Sequence, residues 1–389
     1  MLSNPLIATA LIFALIALGE WLSIISRARV PMLLTAMVGF LVMVWTGIFP
    51  KDIIATSTFA SLGALLVGPA ILHMGTLIPF SLLKSQIKAV VIALGGILVS
   101  GVLILTIVPL VFDYQTAVAG VGPITGGIIA LIITSEKLTE LGLTSLVVIP
   151  ALIVAFQGVL GMPLAMNFMR RYALKVQNQI DNGTFVSMAE TAAVNEDVTN
   201  DQKVSPLKSS TTLKLFFVFV GAAIGVALGE VTPVHYSLWC LAIGIGGLKL
   251  GLFETKSLEK ANSFTITMVA IIFVVIGTMA GVTPQDVVSN LPSILLILGL
   301  GTAGILIGGY LTSKLVKWHP LKGMPVALTA LFGFPGDYLL CEEVSRSVAR
   351  NKKEEAIIFN ELLSPMLIGG FTTVTIVSVI VAGLLIQTL

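Results

Sequence analysis

The chain has 389 residues, 56% of them hydrophobic and 11% charged, with a mean hydropathy of +1.02. Soluble domains carry about a quarter of their residues charged, so this chain has too little polar surface to wrap a core in water; its solvent is a lipid bilayer. A formal net charge of +2, held in short clusters between apolar runs, offers no basic face for nucleic acid and matches the flanks of membrane spans instead.

A crossing takes about 20 apolar residues. On that measure six segments follow one another at residues 5–25, 31–49, 57–80, 89–111, 115–139 and 143–168, and six more at 215–233, 236–253, 264–282, 291–313, 323–349 and 356–386. Met1 to Pro5 holds neither Lys nor Arg, and the apolar run to Ile25 is too long for a signal-peptide core, so it is read as the first span. Between the sets lies a polar linker, 170–214, containing Asn182-Gly183, Glu196-Asp197, Asn200-Asp201 and Ser209-Ser210, with no apolar period long enough for an element. The expected organisation is a first half, 1–169, the linker, and a second half, 215–389. Cys240 and Cys341 lie in apolar segments without ligand spacing and read as small buried residues.

The fifth segment of each half is interrupted by glycine and proline. Gly122 to Gly127 reads GPITGG and leads into Thr134, Ser135, Glu136 and Lys137; Gly333 to Asp337 reads GFPGD and leads into Glu342, Glu343, Ser345 and Arg346. Irregular backbone in hydrocarbon leaves amides unpaired at several kcal/mol each, so both breaks should face protein or a watery cavity. Suppose 115–139 and 323–349 turn back inside the membrane and the N-terminus is outside. Every Lys and Arg except Lys51 and Lys137 is then cytoplasmic, 20 of 22; if both segments cross, the division is 13 to 9. The positive-inside rule selects re-entry.

Five crossings per half invert the second half relative to the first. Internal similarity agrees: Pro150, Leu152, Ile153 and Phe156 recur in register as Pro365, Leu367, Ile368 and Phe371, which sets Gln157 opposite Thr372, and the breaks align Pro123 with Pro335. The expected fold class is an all-α polytopic membrane protein of two inverted repeats of five transmembrane helices, each with a re-entrant hairpin before its last helix. Inverted repeats broken at matching positions mark alternating-access transporters.

This arrangement, over the whole chain, resembles the bacterial sodium/glutamate symporters and the 2-hydroxycarboxylate transporters, although GPITGG and GFPGD share only small residues with the GGxG-like loops of those families. The resemblance implies symport of a small organic anion or amino acid such as glutamate, coupled to Na+ or H+, by an elevator-like motion. It further implies a homodimer in the bacterial cytoplasmic membrane with both termini outside, and no organic cofactor. Two other readings stay open: the ion-translocating membrane subunit of a decarboxylase complex, whose beta subunits resemble this architecture, and a channel. An enzyme is not expected, since no nucleophile with a base, metal cluster or phosphate loop appears.

Glycine at a hairpin tip lets backbone N–H groups and helix N-termini reach an anion. The substrate-binding candidates are accordingly Gly122, Thr125, Gly126 and Gly127 at one tip and Gly333, Gly336 and Asp337 at the other, joined by Gln157, Thr372 and Thr373 on the last spans. Asp337, with Thr125, Glu342 and Glu343, is the candidate set for the coupling ion, because a carboxylate at mid-membrane costs at least ~2.5 kcal/mol unless a cation or proton offsets it. The plain alternative for Asp337 is an N-cap of the returning helix; for Glu342 and Glu343 it is a surface ion pair with Arg346 or Arg350. Glu20 is expected to pair with Arg27, and Asn360 and Glu361 to anchor the final span at the interface. His73 reads as a packing residue or a proton relay. The glycines at 95, 96, 101, 299, 301, 304, 308 and 309 read as packing surfaces against the hairpins.

Overall fold

The computed structural model describes residues 3–77, 86–185, 210–232 and 236–389, and among these all regular structure is helical. Six helices are long and apolar enough to cross a membrane: α1 (Pro5–Ile25), α5 (Ile87–Val111), α8 (Val148–Asp181), α9 (Thr211–Val231), α13 (Pro284–Leu315) and the one that begins at Lys352. Shorter apolar helices are α2 (Met32–Trp45), α4 (Phe59–Gly75) and α12 (Phe264–Gly277). The remainder are α3 (Ile53–Ser57), α6 (Tyr114–Ile124), α7 (Gly127–Glu140), α10 (Tyr236–Lys249), α11 (Ser257–Lys260), α14 (Pro320–Leu328), α15 (Gly333–Val348), α16 (Lys352–Phe371) and α17 (Ser378–Ile386).

The chain forms two compact units, and each draws on both sequence halves. The first comprises Met1–Ala10, Asp52–Ser85 and Val186–Gly277. In it α4 lies against α10 and α12 backbone to backbone, because Gly63 packs on Ala270 and Gly75 on Leu241 and Gly244. His73 is fully buried here. Its Nδ1 accepts the Leu258 N–H at 3.1 Å, and its ring lies 5.0 Å from that of Phe264.

The second unit comprises Leu11–Lys51, Gln86–Phe185 and Thr278–Leu389. Helices α5 and α13 cross at a glycine seam where Gly308 packs on the Gly95 backbone and Gly304 on that of Ser100. Only some of these glycines face the broken fifth segments as expected, since Gly95, Gly304 and Gly308 pack helix on helix and a Cβ on Gly299 would meet nothing within 4 Å. A Cβ on Gly96 or Gly309 would come within 2.9 or 2.7 Å of Ala327 in α14, and Gly301 packs directly on Ile124 of α6.

The linker departs from expectation at its start. Helix α8 does not stop near residue 169 but continues to Asp181. Ala173 and Val176 are buried, so this polar stretch still has an apolar side. Its far end is tied down by Arg350, which donates to Asp181 at 2.6 Å and to Glu354 at 2.7 Å, and by Gln177, which donates to the Val348 carbonyl at 3.1 Å. The helix stops at Asn182-Gly183, where Gly183 takes φ +65°. Helix α9 then begins at Thr211, and Ser210 accepts the Leu213 N–H as its cap. Glu196-Asp197, Asn200-Asp201 and Ser209 lie outside the described residues.

Candidate functional site at two broken helices

Helices α6 and α7 have 11 and 14 residues, about 16 and 21 Å at 1.5 Å per residue, each short of the ~30 Å hydrocarbon layer. Asp113 starts α6 by accepting the Thr116 N–H at 2.6 Å. Pro123 sits in its last turn, and the chain then breaks at Gly126 (φ +155°) and Gly127 (φ +77°), torsions that favour glycine. The second pair is built alike. His319 caps α14 by accepting the Leu321 N–H at 3.2 Å, with Pro320 as first residue. A turn over Thr329–Leu331 follows, and α15 opens at Gly333 (φ +53°) with Phe334 extended, so regular helix resumes from Pro335.

Both breaks meet one short stretch of the last helix. A Cβ on Gly126 would stand 2.7 Å from the Thr373 carbonyl oxygen and from Val374 Cα; one on Gly127, 3.0 Å from Val374 Cγ1; one on Gly333, 2.8 Å from Val374 Cγ2. That stretch, Thr372–Val377, is a π-helical turn between α16 and α17. Such turns interrupt the i→i−4 ladder and recur at functional positions. The Thr372 hydroxyl donates to the Ile368 carbonyl at 2.7 Å, and that of Thr373 to the Gly369 and Gly370 carbonyls at 3.1 and 3.0 Å. Thr125 donates to the Gly122 carbonyl at 2.8 Å, and Gly122 packs against Thr134 and Ala382. Two glycine breaks and a widened turn thus come together from three distant parts of the sequence.

Asp337 follows the second break and is 0% exposed. Its Oδ1 accepts the Tyr338 N–H at 2.7 Å, but this is not the expected N-cap, since Asp337 lies inside α15 and the bond goes to the next residue instead of to an N–H two or three positions on. Among the described residues its Oδ2 has no hydrogen-bond partner, and it points at Gly370, where a Cβ would come within 2.6 Å of it. Thr329 lies beside the same glycine, its Cβ 3.6 Å from that point, and its hydroxyl donates to the Val326 carbonyl at 2.6 Å. An ionised oxygen so placed is costly without a proton or cation to face it. Gly336 rests on Phe332 and on Met162 of α8. Gln157, also on α8, is buried, and its Oε1 lacks a partner among the described residues.

Of the acidic pair further along α15, Glu343 departs from the sequence expectation. Glu342 is exposed. Glu343 is buried and accepts the Met32 N–H at 3.2 Å together with the Ser23 hydroxyl. Its carboxylate therefore caps α2, whose positive end favours an anion there. Arg346 pairs with Glu20 at 3.0 Å, displacing the expected Glu20–Arg27 pair, while Arg350 engages Asp181 and Glu354 in place of Glu342 or Glu343. Hydrogen bonds to Glu354, then to Asp181, push the Arg350 guanidinium above its usual pKa.

Asn360 is exposed, but Glu361 is not a surface anchor. It forms an ion pair with Lys322, a residue only 6% exposed, and accepts the Tyr172 hydroxyl at 3.0 Å. The Lys322 ammonium also lies 4.8 Å from the Trp318 ring. Thr329, the Ser23–Glu343 contact and the π turn escaped sequence reading. A lone threonine, a serine near a helix end and a Thr-Val-Thr run carry no local signal of a remote partner.

Comparison with known protein families finds none whose pattern matches this chain, and comparison with curated proteins finds no match either.

Proposed function

We propose that the chain is a secondary active transporter, an ion-coupled symporter of a small organic anion or amino acid in the bacterial cytoplasmic membrane, with both termini outside. In this reading α6–α7 and α14–α15 are re-entrant hairpins of two inverted repeats, and each turns back near mid-membrane. The observation that carries it is the meeting of both breaks on Thr373 and Val374, beside a fully buried Asp337 with an unpartnered oxygen.

The chemistry follows from that geometry. Helices α7 and α15 begin at the breaks, so two positive helix ends open toward the same place and favour an anion. Carbonyls around the π turn and the hydroxyls of Thr125, Thr372 and Thr373 supply oxygens for orientation. Lys322, already held by Glu361, is not the carboxylate clamp. Asp337 takes the coupling Na+ or H+, which neutralises its carboxylate and leaves the substrate's own charge to face the two positive helix ends, so the loaded site passes the low-dielectric layer at less cost than one that also holds a bare carboxylate. Alternation follows an elevator-like motion in a homodimer. The test is a panel of radiolabelled organic acids and amino acids offered to proteoliposomes under an imposed Na+ or pH gradient. Saturable accumulation that collapses when the gradient is dissipated supports the carrier. Conductance that never saturates, or no gradient-dependent uptake of any panel member, contradicts it.

A further inference from the structure

The two broken segments are fastened to the second unit by different chemistry. On α14, Lys322 forms an ion pair with Glu361 of α16, and the Tyr172 hydroxyl of α8 donates to the same carboxylate at 3.0 Å. On α15, Glu343 accepts the Ser23 hydroxyl of α1 and the Met32 N–H of α2, the latter at 3.2 Å. Further along α15, Arg346 pairs with Glu20 of α1 at 3.0 Å, and the Val348 carbonyl accepts from Gln177 of α8 at 3.1 Å. Both limbs are thus bonded to helices outside the pair, and Lys322 and Glu343 make their bonds while buried.

On α6 and α7 the polar groups turn inward on their own segment. Asp113 accepts the Thr116 N–H, Thr125 donates to the Gly122 carbonyl, Thr139 donates to the Ser135 carbonyl at 2.8 Å, and Lys137 pairs with Glu140 at 2.8 Å. Among the described residues, the one polar side-chain bond that leaves this pair joins Tyr114 to Thr388 at 2.7 Å, between exposed side chains. Packing does the rest: Gly120 lies on Ile297 and Ile153, Ile124 on Gly301, and Gly122 on Ala382. The buried Thr134 hydroxyl, beside Gly122, has no partner among the described residues.

Separation costs the two pairs unequally. In a bilayer no hydrophobic force holds one apolar helix to another, so lipid or ligand replaces lost apolar contacts cheaply. A buried ion pair has no such replacement, since pulling it apart leaves each charge alone in a low-dielectric medium. Opening α6–α7 also brings the Thr134 hydroxyl to water, which offsets part of the packing lost.

We propose that α6–α7 is the moving gate of the site, and that α14–α15, with Asp337, stays fixed to the second unit. The proposal rests on the transport reading, in which the first hairpin enters from the outer face, so its opening admits the ligand from outside. Amide exchange of the full chain in nanodiscs needs no substrate, and it therefore separates the gate from the carrier reading, which uptake decides. Residues 114–140 should exchange roughly 10-fold faster than 320–348. Lys322→Met/Glu361→Gln removes the ion pair and should raise exchange over 320–331 while that of 114–140 stays unchanged. Where this variant does not fold, the order of exchange in the parental chain decides. Membrane-impermeant maleimide on right-side-out vesicles should label Thr134→Cys in the Cys240→Ala/Cys341→Ala background. The native Cys341 of α15, kept in Cys240→Ala alone, should stay unlabelled from either face; both positions are buried in this structure. Exchange as fast over 320–348 as over 114–140, a folded double variant with unchanged exchange, an unlabelled Thr134→Cys, or Cys341 labelled at the same rate each overturns the proposal.

Discussion

Asp337 concentrates the chemical argument in one side chain. One oxygen has a structural task, accepting the Tyr338 N–H at 2.7 Å, and the other has none among the described residues. The bond from Tyr338 accounts for the first oxygen and leaves the second costly, by about 1–3 kcal/mol for a buried polar atom without a partner and more if it is charged. A ligand that comes and goes accounts for both. Asparagine keeps an acceptor for Tyr338 while removing the charge. Asp337→Asn should therefore fold normally yet lose gradient-driven uptake by roughly 10- to 100-fold, commensurate with the ~2.5 kcal/mol at stake for an intramembrane carboxylate. Uptake at the parental rate, still following the gradient, would remove Asp337 from coupling.

At the scale of elements, the positions of the breaks were legible because glycine and proline announce them: GPITGG and GFPGD fall where Gly126, Gly127 and Gly333 take positive φ. Apolar length gave the limits of α1 and nearly those of α5, but the segments expected at 31–49, 57–80, 236–253 and 264–282 hold helices of 14, 17, 14 and 14 residues, shorter than a crossing needs. The end of α8 was not legible. Its last turns look polar in one dimension, and the partners that hold them, Arg350 and Val348, lie some 170 residues away. Nor was the fate of Glu343 or Lys322 readable, since neither the α2 terminus nor Glu361 is near them in sequence. Arg350→Ala tests the long-range tie. Its pair with Asp181 is half exposed, but Glu354 is 4% exposed, so removing the guanidinium leaves a buried carboxylate without its cation and should lower stability by about 1–3 kcal/mol. Amide exchange over 170–181 should quicken, while that of 148–165 stays unchanged. Equal exchange in both proteins would show that the last turns of α8 hold themselves.

For the whole molecule, the two compact units do not follow the two sequence halves. Each takes elements from both, and in the second unit α5 crosses α13, the fourth apolar segment of one half against the fourth of the other. The positive-inside count and the meeting of the breaks are independent arguments: one depends on Lys and Arg at segment ends, the other on glycine packing at their centres. Both support the proposed carrier, in which the site would lie where Gly126 and Gly333 pack on Val374. The most direct test places a single cysteine there, Val374→Cys, after Cys240→Ala and Cys341→Ala have removed the native thiols, and applies membrane-impermeant maleimide to right-side-out and inside-out vesicles in turn. The account predicts labelling from both faces, slowed by the transported anion together with its coupling ion. Labelling from one face only, under every ion and substrate condition, would contradict it.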